Sequence, residues 1–426
     1  MNTSIGRLGL MCILLASAAS AAASASFAEF DARAKAGEKL NVVYFGASLT
    51  FSANATDPSV TGFRGLMSEY LEERYPKAHF RFHDAAIGGT TSKLGLFRME
   101  RDVLSKKPDL VFLDFVCNDG GDNVNPDNTC AYEQILRTLI GNGIPVEQVL
   151  FTFRPWEESD GDYEHTVPRH RLYRELAAYY GTPCGDAAKL IRAKLQAKET
   201  TLDEIWPIDG GHPGDYGYSL FFEAAKAAFE QGVSGDAVCS SPSAPLYGSV
   251  DAVSRRPLSM FVAQQPAGWR QEHSFRLSMW YDGLSSRFLG DWVTRIDAQA
   301  ESVGIAVSGN VFAFFGEADG KTALPLEVSI DGGRLEKVNF THGCDGRLFV
   351  FRELFADGWK NGVGGDHVLS IKPIPDPKKP NGEVRIESVM SGTFKPTALA
   401  LEIAKTGSVK DFNLDEIDHA RGTEKD

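Results

Sequence analysis

Asp209 and His212 stand three residues apart in "WPIDGGHPGDYGY", a Gly-rich stretch leading into a helical pattern. That spacing can set a carboxylate against one imidazole nitrogen and leave the other free to take a proton from a hydroxyl. The hydroxyl of interest is Ser48, in "VVYFGASLTF", where four apolar residues run into small ones. A strand ending in this way either makes an ordinary capped turn or presents a nucleophile. Taken alone, Asp209 and His212 also fit an Asp-Gly turn with a surface histidine. Acyl transfer further needs donors for a developing oxyanion. Gly89 in "AAIGGTTS" can bring a backbone N–H close to a ligand, and Asn118 in "FVCNDG" carries an amide at a strand end. Each of the two has a plainer reading, as a tight turn and a loop-capping residue.

These residues follow successive strand-like runs, "LNVVYFGAS", "HFRFHDAAI", "DLVFLDFV", "QVLFTF" and "TPCGDA", separated by segments of helical period such as "FRGLMSEYLEERYP" and "AYEQILRTLIGNG". Alternating strands and helices predict a parallel sheet covered on both faces, with ligands at the carboxyl ends of the strands. "GAS", "IGG" and "CND" all emerge at those ends.

In order, "GASLT", "IGGTTS", "CND" and "DGGHP" resemble the blocks of the SGNH hydrolases, also called GDSL esterases. The resemblance spans roughly residues 40 to 232. It implies a flavodoxin-like three-layer α/β domain, with Ser48 as nucleophile, His212 as base, Asp209 as orienting acid, and Ser48, Gly89 and Asn118 as the oxyanion hole. No metal or organic cofactor is implied. The chain departs from the family pattern at Ala47, where the namesake motif has Asp, at Val116, where Gly is usual, and at Asp84, where many members have Asn. Thr50 in place of a second Gly sets the Ser48 turn apart from the lipase elbow Gly-x-Ser-x-Gly.

The rest of the sequence bounds the setting. Arg7 precedes the apolar run "LGLMCILLASAAS", so residues 1–25 read as a secretory leader and the mature protein is expected to be secreted or periplasmic, without a membrane span. Catalytic residues are expected within 26–235. A Ser/Pro-rich linker is expected at 236–245, an antiparallel β-sandwich or jelly roll at 246–405, and a polar tail at 406–426. Runs such as "GIAVSGNVFAFFG", "LPLEVSIDGG", "VRIESVMSG" and "ALALEIA" read as strands. The sandwich resembles jelly-roll segments found beside some SGNH esterase domains, which points to O-acetyl esters on carbohydrates as substrates. A broad lipase or arylesterase, an inactive carbohydrate-binding protein and a structural envelope module are the alternatives.

A net charge of −13 over 426 residues disfavours nucleic acid or an anionic membrane as partner. Cys117, Cys130, Cys184, Cys239 and Cys344 follow the leader with no C-x-x-C spacing, and Cys12 lies within it. Trp269, Trp280, Trp292 and Trp359 are candidates to stack on sugar rings, although burial in the sandwich is the commoner fate of such residues.

Overall fold

The computed structural model describes residues 25–120, 124–158, 168–262, 265–274, 288–341, 347–355 and 364–406. Five parallel strands form the first sheet: β1 (Lys39–Gly46), β2 (His79–Ala86), β3 (Leu110–Leu113), β4 (Val146–Leu150) and β5 (Cys184–Asp186). Their order is β2-β1-β3-β4-β5. Helices cover both faces, so every residue of β3 and β4 is buried, Glu147 and Gln148 included, whereas the edge strand β2 alternates polar and apolar residues and is mostly exposed or half-buried. On one side lie α1 (Phe27–Lys35), α3 (Phe63–Arg74), α7 (Ala187–Gln196) and α8 (Asp215–Ser234). On the other, α4 (Ser92–Asp102) packs on α5 (Pro126–Gly141). This is the flavodoxin-like order, and its reversal falls between β1 and β3, where such sheets open a crevice at the strand ends. Ser48 follows β1 in the one-turn helix α2 (Ser48–Phe51), and Asn118 follows β3.

Two antiparallel sheets follow. The larger contains β6 (Gly248–Pro257), β7 (Trp269–His273), β8 (Trp292–Asp297), β10 (Val311–Asp319), β13 (Arg347–Leu354) and β15 (Glu383–Pro396), in the order β13-β10-β15-β8-β7 with β6 also paired to β15. The smaller has the order β9 (Val303–Gly309), β14 (Gly365–Pro373), β11 (Leu326–Ile330), β12 (Leu335–Val338). Strand β10, "VFAFFGEAD", is apolar on both faces for a physical reason. Phe312, Phe314 and Ala318 join the core between the two sheets, whereas Val311, Ala313 and Phe315 turn the other way and join the core of the α/β domain. Met390 and Phe394 of β15 do the same. The α/β core therefore continues across the domain junction.

Helix α5 holds the Ser/Pro-rich stretch in place. Its buried Glu133 accepts the N–H groups of Leu246, Tyr247 and Gly248 at 2.5, 2.7 and 2.8 Å, together with the Tyr180 hydroxyl. Arg137, one turn on, donates to the Pro242 carbonyl at 2.8 Å. Just upstream, Val238–Cys239 pairs antiparallel with Ala25–Ser26.

One strand reading is corrected. "ALALEIA" begins a helix, α9 (Ala398–Thr406), which packs on α5. Its alternation admits either period, but Ala, Leu, Glu and Lys favour helix, and burial of Ala400 and Ile403 three residues apart gives it an inward stripe. Residues 1–24 of the expected leader, Trp280, Trp359, Cys12, Cys344 and the tail beyond Thr406 lie outside the described residues. Among the described residues no helix is long and apolar enough to cross a membrane.

Candidate active site

The turn after β1 admits no side chain at Gly46. A Cβ there would lie 2.1 Å from Thr50 Oγ1 and 2.4 Å from the Asp114 carbonyl oxygen. The Gly46 carbonyl accepts Ile87 N–H at 3.1 Å, and the Phe45 carbonyl accepts Asp114 N–H at 3.0 Å. The ends of β1, β2 and β3 are thereby stitched together. Arg98 of α4 reinforces this from below. Its guanidinium is buried over the Phe45 ring and donates to the carbonyls of Ala85 (2.6 Å) and Gly46 (2.9 Å) and to Asp102 (3.0 Å). A buried cation with this many acceptors fixes the backbone that carries Ser48.

Ser48 opens α2 with 5% of its surface exposed. His212 Nε2 lies 3.0 Å from Ser48 Oγ. On the other edge of the ring, His212 Nδ1 faces Asp209 Oδ2 at 3.3 Å. A carboxylate only accepts, so Nδ1 carries the proton and Nε2 is left to accept from the serine hydroxyl. Asp209 is fixed by its own loop, because Oδ1 accepts the N–H groups of Gly211 and His212, both at 2.7 Å. Partial burial pushes the Asp209 carboxyl up, but those N–H donors, the Asn54 amide and the His212 ring outweigh it and hold the group below its ordinary range. The fold thus brings Ser48, His212 and Asp209 into one line.

Gly89 and Asn118 lie at the carboxyl ends of β2 and β3. Gly89 is exposed at φ +69°, a left-handed conformation that disfavours any side chain even though nothing would crowd a Cβ there. Asn118 is half-buried in the turn after β3. Its neighbour Asp119 binds the two segments together, with Oδ1 accepting Ser92 N–H at 2.8 Å and Oδ2 accepting the Tyr173 hydroxyl. Arg169 of α6 (Pro168–Tyr180) donates to the Asp119 carbonyl at 3.2 Å. At Val116, where the family pattern has Gly, the backbone avoids positive φ, and its N–H donates to Asp114 Oδ1 at 3.2 Å. At Asp84, the carboxylate takes the Ala86 N–H at 2.9 Å within the strand end.

Asp114 was not singled out in the sequence. It is fully buried beneath the Ser48 turn, and loss of hydration pushes its carboxyl up to about 8 in spite of bonds from Val116 N–H and Thr50 Oγ1. An acid inside "LVFLDFV" was the available signal. Arg98 and Asn54 had none, since "FRMERD" reads as an exposed helix face and "SANATD" as a loop.

A hollow of about 520 Å³ adjoins Asp209 and Gly210, lined by Arg154, Glu158, Asp203 and Trp206. A larger one of about 610 Å³ lies between α4 and β6 and includes none of the candidate residues, so the smaller is the better companion to this site. Among the described residues no group of His, Cys, Asp and Glu is arranged to hold a metal ion. Among the described residues, Cys117, Cys130, Cys184 and Cys239 form no disulfide. Trp269 is buried and donates to the Glu301 carbonyl, whereas Trp292 is exposed and stacks on His273 with centroids 4.0 Å apart.

Residues 44–220 match the model of the GDSL-like lipase/acylhydrolase family. Among solved structures, the chain is similar to a two-domain esterase (CEX) active on acetylated mannans and co-crystallised with mannopentaose, at 20% identity and a TM-score of 0.68. That alignment covers 86% of this chain and 94% of the other. A second structure of a two-domain esterase (CEX) active on acetylated mannans aligns at 21% identity and a TM-score of 0.67, over 87% and 95% of the two chains. No curated protein matches the sequence.

Proposed function

We propose, from the match of residues 44–220 to the GDSL-like lipase/acylhydrolase family model, that the protein is a serine esterase that removes O-acyl groups, acetyl above all, from carbohydrates. The observation that carries this reading is the 3.0 Å approach of His212 Nε2 to Ser48 Oγ, with Asp209 behind the ring. In the first step His212 takes the Ser48 proton as Oγ attacks the ester carbonyl. The oxyanion is held by the Ser48 and Gly89 N–H groups and the Asn118 amide. His212 then protonates the departing sugar oxygen, which leaves as a free hydroxyl. In the second step it takes a proton from water, which attacks the acyl-serine, and returns that proton to Ser48 as the carboxylic acid leaves. Asp209 holds the ring in the required tautomer throughout.

The carbohydrate assignment is supported by the shared two-domain fold, since the similar esterase active on acetylated mannans aligns over both domains. A net charge of −13 suits a neutral polymer better than an anionic one. The leader-like residues 1–25 support an enzyme acting outside the cytoplasm, where polysaccharides are met.

Acetate release from acetylated mannan, xylan, pectin and glucan, set beside aryl esters of increasing acyl length, tests this function. Acetate release from at least one polymer, abolished in Ser48→Ala, is the expected result. Faster turnover of long acyl chains than of any acetylated carbohydrate would make the protein a broad lipase or arylesterase. Absence of hydrolysis on all of them would leave a carbohydrate-binding protein.

A further inference from the structure

Asp209 Oδ2 has a closer partner than the imidazole it faces. Asn54 Nδ2 lies 2.7 Å from that oxygen and 3.4 Å from the His212 carbonyl, whereas His212 Nδ1 stands 3.3 Å away. Both neighbours of the amide only accept, so its NH₂ group points at them. Asn54 adopts φ +71°, a left-handed conformation that asparagine tolerates at a cost most residues pay more heavily. The loop that imposes it is anchored at both ends. Ala53 N–H donates to the Ser48 carbonyl at 3.0 Å, the Ala53 carbonyl accepts the Tyr218 hydroxyl at 2.6 Å, and Thr56 N–H donates to Asp215 at 2.7 Å. Tyr218 and Asp215 belong to α8, the helix that follows His212.

We propose that Asn54 is a positioning residue that locks the Asp209 carboxylate, and through it the His212 ring, to the segment carrying Ser48. This rests on the Ser48–His212–Asp209 reading above. The need for such a lock comes from exposure, because the Asp209 side chain is 45% exposed. A carboxylate open to water can rotate away or trade its imidazole for solvent. Its two backbone bonds within the 209–212 loop go to Oδ1, and His212 Nδ1 stands 3.3 Å from either oxygen, so only a donor from outside that loop ties Oδ2 to the Ser48 segment. Asn54 is that donor, and it sits six residues after the nucleophile, so the turn that presents Ser48 also sets the register of its base.

Kinetics on a small aryl acetate test the proposal. Asn54→Gly suits the left-handed backbone while deleting the amide, so its effect reads the hydrogen bond and not the strain. A roughly tenfold fall in kcat with KM within about twofold is expected, the scale of one hydrogen bond to a charged group. Asn54→Asp should fall further, since it sets like charge against Asp209. In an Asp209→Ala background, Asn54→Gly should change kcat no more. Wild-type kcat in a folded Asn54→Gly chain overturns the proposal, and so does an equal loss in the Asp209→Ala background, which would mark a structural role. Ser48→Ala, run alongside, separates this from failure of the underlying reading. If Ser48→Ala is inactive while Asn54→Gly is wild type, the positioning role alone is wrong. If folded Ser48→Ala turns over normally, both are.

Discussion

Lys93, the second residue of α4, forms an ion pair with Glu353 of β13, joining the helix that follows Gly89 to the sandwich. The pair is largely shielded, with side-chain exposures of 7% and 16%. Breaking one partner should therefore cost more than removing both, because a lone shielded charge loses hydration without compensation. Lys93→Ala is expected to destabilise the fold by about 1–3 kcal/mol, and Lys93→Met with Glu353→Leu to recover most of that loss. Chemical denaturation of the three chains checks it, and a single variant as stable as wild type would mean that the pair is screened.

A chain ending after Ser234 retains every proposed catalytic group but loses the residues that Glu133 binds and the inner face formed by Val311, Ala313, Phe315, Met390 and Phe394. Burial already pushes the Glu133 carboxyl up against its four hydrogen bonds. The truncated chain is expected to melt well below the full chain or to aggregate, because it exposes a contiguous apolar surface. A cooperative, monomeric truncation with full-length stability, seen by thermal melting and size-exclusion chromatography, would show that the shared core is dispensable.

Asp114 gives a pH dependence of definite sign. Its ordinary value is 3.8 and its folded value about 8. The folded state binds this proton more tightly than the unfolded chain does, so the group's contribution is fully present below about pH 4 and is lost as pH rises towards 8. Asp114→Asn removes that loss. The variant should gain on wild type between pH 4 and pH 8, by an amount on the order of a few kcal/mol at the upper end. Urea midpoints at the two pH values measure it, and an equal difference at both would show that Asp114 does not titrate in this window.

Asn118→Ala should lower kcat by roughly 100-fold while leaving KM near wild type, as expected for a donor that acts on the oxyanion. Steady-state kinetics on an aryl acetate decide between this and a capping residue, whose removal would leave turnover intact.

The parallel sheet was legible in the sequence through the apolar runs of β1 and β3 and the helical patterns between strands, whereas the edge strand β2 alternates polar and apolar residues and β4 carries the buried Glu147 and Gln148. Ser48, Asp209 and His212 were legible because their side chains had chemical types and spacings to read. Arg98, Asp114 and Asn54 act through buried or loop-set geometry that no spacing encodes. Arg98 reaches carbonyls on two strands 13 and 52 residues away, and Asn54 meets a carboxylate 155 residues downstream. The helix Ala398–Thr406 was misread because "ALALEIA" satisfies two periods, and its helix-favouring composition and the neighbouring α5 together select one. The shared core was hidden for a related reason, since an apolar run such as "VFAFFG" does not say what covers its second face.

Covalent labelling tests the central claim most directly. A fluorophosphonate that reacts with activated serines should modify the folded chain once, at Ser48, with activity falling in proportion to label incorporated and with labelling lost in His212→Ala. Peptide mapping by mass spectrometry locates the adduct. A label on another residue, or a chain that remains fully active with Ser48 modified, would contradict the assignment of Ser48 as the nucleophile.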